Sequence, residues 1–225
     1  MLRFGDRPDT FDYGALVDRR FREAIQALSA ARRELNGDVA AAARAIAGCF
    51  QAGGTLLLCG NGGSAADAQH FAGEFVGRFK RPGRGGLPAL ALTADSSVVT
   101  AWANDCGFED VFARQVEAFG RPGDVLVGIS TSGRSRNVLR AFEAAAARGM
   151  TRIGLLGGTG GDLLPLAEHA IVAPSDDTQH IQEVHIVVIH VLCELVEEEL
   201  QRLQGCDGVA PLAAGRVVGL VGRRR

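Results

Sequence analysis

The sequence predicts an α/β fold, a five-stranded parallel sheet with helices on both faces, preceded by an N-terminal pair of helices. Three observations carry that reading. Five short apolar runs, at 55–59, 88–92, 124–129, 152–156 and 170–173, read as buried strands. Helical segments of about ten to fifteen residues separate them, the pattern of right-handed βαβ crossovers in a sheet covered on both sides. The 225 residues are 47% apolar and 22% charged, which excludes a disordered chain, a collagen and a coiled-coil rod and suffices for the core of one large domain.

Before the first strand, Val17, Phe21, Ala24, Leu28, Ala31 and Leu35 alternate steps of four and three, one helical stripe with arginines opposite. Asn36-Gly37-Asp38 reads as a stop followed by a cap. A second helix then carries Val39, Ala43, Ile46 and Phe50 and ends at Gly53-Gly54. So regular a stripe can pack on its own domain or on another copy. The last helix, about 177–203, is apolar through Ile186-Val187-Val188-Ile189 and acidic at Glu197-Glu198-Glu199. The expected organisation is a helical pair at 1–54, an α/β domain at 55–203 and a loosely ordered tail at 204–225, to which no function is assigned.

A net charge of −2, with only Arg223-Arg224-Arg225 locally basic, argues against non-specific nucleic-acid binding. No apolar stretch approaches the roughly 20 residues of a membrane helix, and the first residues lack a signal-peptide core. Five cysteines, Cys49, Cys59, Cys106, Cys193 and Cys206, form no CxxC pair. The expectation is a soluble protein of the reducing cytoplasm, with Cys59 and Cys193 as small apolar fillers.

In such sheets ligands bind where strand carboxyl ends run into helix N-termini. The first strand leads into Gly60-Asn61-Gly62-Gly63-Ser64, a loop that lets backbone approach an anion, with Ser64 placed to cap the next helix. The third leads into Ser130-Thr131-Ser132-Gly133-Arg134-Ser135, whose hydroxyls and amides suit a phosphate. Neither is a P-loop or a GxGxxG motif. Each taken alone is also compatible with a capped turn. On the helix at 64–79, His70 and Glu74 stand one turn apart, a spacing that serves a metal, a substrate or merely a surface pair. The last helix offers Gln182, Glu183, His185 and His190 among apolar residues. Gln182 and His190 lie about 12 Å apart along the axis, so contribution from two subunits would ease their meeting at one ion. His185 reads equally as a core histidine bonded to a backbone carbonyl, and His169 and His180 as surface residues.

The runs GNGGSAADAQHFAGE (60–74), AND (103–105), GISTSGRSRNV (128–138) and PSDDTQHIQEVHIVVIH (174–190) occur in the order and spacing of a known family. The chain resembles the phosphoheptose isomerases, a family of sugar isomerase domains, over nearly all of residues 24–199. That resemblance implies a flavodoxin-like three-layer sandwich, assembled as a homotetramer with zinc-containing active sites between subunits. It also implies isomerisation of sedoheptulose 7-phosphate to D-glycero-D-manno-heptose 7-phosphate, toward heptoses for surface glycans. The positions matching the family's metal ligands are His70, Glu74, Gln182 and His190. Those matching its substrate contacts are Asn61, Gly62, Gly63, Glu74, Asn104, Asp105, Ser130, Thr131, Ser132, Ser135 and Gln182.

The resemblance makes Glu74 the base that takes and returns the carbon proton, and His190 the partner for the oxygens or for the opposite proton transfer. Zinc would act as a Lewis acid. Two departures stand out: Gly73 where an acidic residue or alanine is common, weakening the helix by up to about 1 kcal/mol, and His180 in place of an arginine. Two alternatives use the same fold. One is a tetrameric scaffold binding the bacterial replication initiator, whose members lack the glutamate and last histidine retained here. The other is a metal-free isomerase or sensor of another phosphosugar.

Overall fold

The computed structural model describes residues 11–207, with side chains as far as residue 202. The arginines at 223–225 and most of the expected tail lie outside the described residues. Twelve main elements follow in order: α1 Tyr13–Glu34, α2 Asn36–Gln51, β1 Leu56–Gly60, α3 Gly63–Val76, β2 Ala89–Ala91, α4 Ser96–Asp105, α5 Ala113–Phe119, β3 Val125–Ser130, α6 Arg136–Ala147, β4 Thr151–Gly157, β5 His169–Ala173 and α7 Thr178–Asp207. Short 3₁₀ turns occupy Phe108–Asp110 and Gly161–Leu166.

All strand pairs are parallel, in the order β2-β1-β3-β4-β5, which is the flavodoxin-like order. Every residue of β1 and β3 is buried, so these strands read as unbroken apolar runs rather than alternating ones. On one face Leu56, Leu58, Val125, Val127, Ile153 and Ile171 pack against α2, α3 and α7. On the other, Leu57, Leu126 and Leu156 pack against α5 and α6. Three layers result, as expected.

Several boundaries differ from the sequence reading. The first two helices break at Leu35 alone, so Asn36, Gly37 and Asp38 form the first turn of α2; Leu35 is buried, and its packing outweighs the weak helix propensity of Asn-Gly. α3 begins at Gly63 and ends at Val76, placing Ser64 inside the helix, buried and without a capping bond. α7 continues to Asp207, so residues 204–207 are helical rather than tail.

The stripe on α1 is only half used. Ala31 and Leu35 are buried and Leu28 packs on the core, whereas Val17 and Phe21 are exposed, as are the nearby Tyr13 and Ile25. Cys49, Cys59 and Cys193 are buried free thiols, and Cys106 is exposed. Burial pushes the Cys59 thiol up to about 12, in keeping with an inert filler. Among the described residues no helix is long and apolar enough to cross a membrane.

Candidate active site

The crossovers after β1 and β3 leave the sheet in opposite directions, which opens a crevice between the two loops that follow them. In the first loop Gly62 adopts φ +56°, a left-handed conformation that side chains disfavour, and hands the chain to α3. A Cβ at Gly63 would meet the end of the Gln182 side chain, so the start of α3 and the first turns of α7 lie in close contact. Asn61 and Asn137 exchange two amide hydrogen bonds, of 2.9 and 2.8 Å. This pairing bolts the glycine loop to α6 and occupies the Asn61 side chain.

In the second loop the Ser130 and Ser135 hydroxyls lie 3.0 Å apart, and Ser132 Oγ accepts the Arg134 amide at 3.2 Å. Ser135 is the N-cap of α6 and makes no side-chain capping bond, leaving first-turn amides for an anion. Gly133, at φ +64°, runs so close to the Gly160 carbonyl that no Cβ fits. Beside this loop lies a cavity of about 280 Å³ lined by Thr131, Ser132, Arg134, Thr159, Asp176 and Thr178, among others. Arg134, Thr159, Asp176 and Thr178 were not among the expected contacts. The signal was present for Thr159: it lies in a glycine-rich stretch, residues 157–161, at the carboxyl end of β4.

A second constellation lies along α3 and α7. Ala68, Phe71, Ala72 and Phe75 are buried at helical spacing, which seats α3 on the core and leaves His70 and Glu74 together on its flank. His190, three turns into α7, meets them there: His70 Nε2 is 2.9 Å from His190 Nε2 and 3.4 Å from Glu74 Oε1. Ligand atoms of all three lie within 4.8 Å of one another. Phe79 stacks on His190 at 5.9 Å. Two imidazole nitrogens and a carboxylate form a donor set that suits zinc, and a mere His70–Glu74 surface pair would not draw in a histidine from another helix. Gln182 rests on Gly63 instead, so α7 touches both the glycine loop and the histidine cluster.

Asn104 and Asp105 sit at the exposed end of α4, bonded to each other at 2.8 Å. His185 is fully buried and bonds the Leu156 carbonyl through Nε2 at 2.8 Å, the core role expected as one reading; burial lowers its pKa to about 4. The surface reading of His180 is overturned. Its ring, in the first turn of α7, is buried against α1, with Nδ1 2.8 Å from Glu183 Oε2 and Nε2 3.5 Å from Glu23, and the Glu183 hydrogen bond raises its pKa.

A flavodoxin-like sheet with hydroxyl and glycine loops at its switch point and a His/His/Glu cluster beside them defines a phosphosugar-handling protein of the sugar isomerase class. In agreement, residues 20–157 match the SIS domain family model. The chain is 56% identical over 162 residues to a phosphoheptose isomerase of Roseiflexus sp., covering 72% of this chain and 82% of that one. It is 50% identical over 183 residues to a phosphoheptose isomerase of Campylobacter jejuni, covering 81% and 97%. The solved phosphoheptose isomerase of Neisseria gonorrhoeae superposes with a TM-score of 0.78 at 44% identity, covering 82% of this chain and 98% of that one. The chain belongs to the phosphoheptose isomerase family.

Proposed function

We propose that the chain converts sedoheptulose 7-phosphate to D-glycero-D-manno-heptose 7-phosphate, an aldose–ketose isomerisation through an enediol that supplies heptose for surface glycans. The convergence of His70, Glu74 and His190 from two helices carries this reading. Moving the carbonyl from C2 to C1 takes a proton from C1, passes through the enediol, and returns a proton to C2, while a proton moves between the two oxygens. Glu74 handles the carbon proton and His190 the oxygens. His70, Glu74 and His190 would hold zinc, which supplies Lewis acidity at the carbonyl when bound, with Gln182 as the fourth ligand contributed from a neighbouring copy.

Ser130, Thr131, Ser132 and Ser135 grip the phosphate, spending binding energy far from the reacting carbons. Asn61, Gly62 and Gly63 face the sugar, with Asn61 contributing through its backbone because Asn137 occupies its amide. Asn104, Asp105 and Gln182 complete the substrate contacts.

The apolar residues Tyr13, Val17, Phe21 and Ile25 left open on α1 support a homotetramer, with the helical pair packing both on its own core and between copies and the exposed His70 facing a neighbouring subunit. It works in the cytoplasm. The test supplies purified protein with sedoheptulose 7-phosphate, with and without a chelator, and follows the sugar by NMR. Aldose formation stopped by chelator and restored by zinc supports the assignment; no turnover by zinc-loaded protein contradicts it.

A further inference from the structure

Helix α3 ends two residues beyond Glu74, and its last carbonyls form the negative end of the helix dipole. One guanidinium closes them. Arg84, from the loop after α3, donates to the carbonyls of Glu74 at 2.6 Å, Phe75 at 2.7 Å and Gly77 at 3.4 Å. Its Nε donates to Glu197 Oε1 at 2.6 Å. Glu197, on α7, is 3% exposed and also accepts the backbone amides of Lys80 at 3.0 Å and Phe79 at 3.3 Å. Burial pushes its carboxyl up, but the Arg84 bond and these two amides more than offset that and hold its pKa low.

The placement of this pair ties it to the reacting groups. Arg84 bonds the backbone of Glu74 itself. Glu197 lies two turns beyond His190 on the same helix, and it holds the amide of Phe79, whose ring stacks on His190. The neighbouring Lys80–Glu194 and Arg81–Glu198 bridges are more exposed and contribute little. The two helices that carry the halves of the cluster are therefore joined beside it by one charge pair, its carboxylate buried and its guanidinium largely covered.

We infer that Arg84 and Glu197 are positioning residues for the isomerisation, fixing Glu74 and Phe79 against α7 and so setting the spacing of Glu74 from His190. This rests on the isomerase reading of the cluster. The phosphate and sugar loops follow β3 and β1, so loss of the pair acts on turnover and metal affinity rather than on substrate capture.

The test compares the full-length zinc-loaded protein with Arg84→Lys, Glu197→Gln and Arg84→Ala. In Arg84→Lys and Glu197→Gln, which keep most of the side-chain volume, kcat falls about tenfold or more while KM shifts less than about threefold. Zinc affinity of the metal-free protein, measured by chelator competition, falls about tenfold as well. Millimolar guanidinium restores turnover to Arg84→Ala, and methylammonium does not. Folded Arg84→Lys and Glu197→Gln proteins whose kcat and zinc affinity both stay within about twofold of wild type overturn the inference. Wild-type protein that binds zinc but does not turn over the sugar overturns the reaction instead, and the zinc affinities of the variants still decide the positioning role.

Discussion

The Nε2 atoms of His70 and His190 lie 2.9 Å apart although 120 residues separate them in the chain. α3 and α7 pack side by side through the core, and each presents an imidazole at the same level, with Glu74 Oε1 3.4 Å from His70. Nitrogens so placed share one proton or flank one cation, and with the adjoining carboxylate they form a donor set that suits zinc.

If that pair flanks zinc, His70→Ala and His190→Ala each lower zinc affinity at least about a hundredfold. A four-ligand site of roughly 12 kcal/mol distributes about 3 kcal/mol to each ligand. Competition with a chromogenic chelator measures it, and an unchanged affinity in either variant removes that residue from the ligand set.

Gly133→Ala places a Cβ on the Gly160 carbonyl at a φ of +64°. The variant loses about 2 kcal/mol or more in urea unfolding and, because the serine loop shifts, its KM rises more than its kcat falls. Alanine tolerated within about 0.5 kcal/mol would mean that this loop relaxes freely.

Asn137→Ala strips the Asn61 amide of both its partners. The cost is about 1–3 kcal/mol for groups left unpaired, with a higher KM as the glycine loop loosens. Equilibrium unfolding and steady-state kinetics on the same preparation check both effects.

The sheet and its order were legible in the sequence because parallel strands buried on both faces appear as short apolar runs. The loops were legible because glycine and serine gather where Leu56–Gly60 and Val125–Ser130 end. The junction at Leu35 was not, since burial of that leucine overrides an Asn-Gly pair that reads as a stop. The His70–Glu74 spacing showed at sequence level, but its meeting with His190 depends on packing between elements far apart in the chain. Arg84 and Glu197 were hidden for a similar reason. One sits in an RPGRGG turn and the other in an EEE run, both of which read as solvated until the fold brings them together.

His185 predicts a pH dependence of stability. Its pKa is about 4 in the folded protein against an ordinary 6.5, chiefly through burial, so the unfolded chain binds the extra proton between these values. Stability is therefore full above about 6.5 and falls as the pH drops toward about 4, by about 3 kcal/mol in total. His185→Gln keeps a donor for the Leu156 carbonyl and removes that slope; unfolding curves from pH 4 to 8 that remain parallel for the two proteins would contradict this.

The most direct measurement is isomerisation in deuterated buffer by wild type and Glu74→Gln, followed by NMR for both aldose formation and deuterium at the exchanging carbon. Wild type forms the aldose with deuterium at that carbon, while Glu74→Gln keeps its fold and assembly and shows neither. A Glu74→Gln protein that still forms the aldose and exchanges deuterium at the wild-type rate would contradict the assignment of Glu74 as the base.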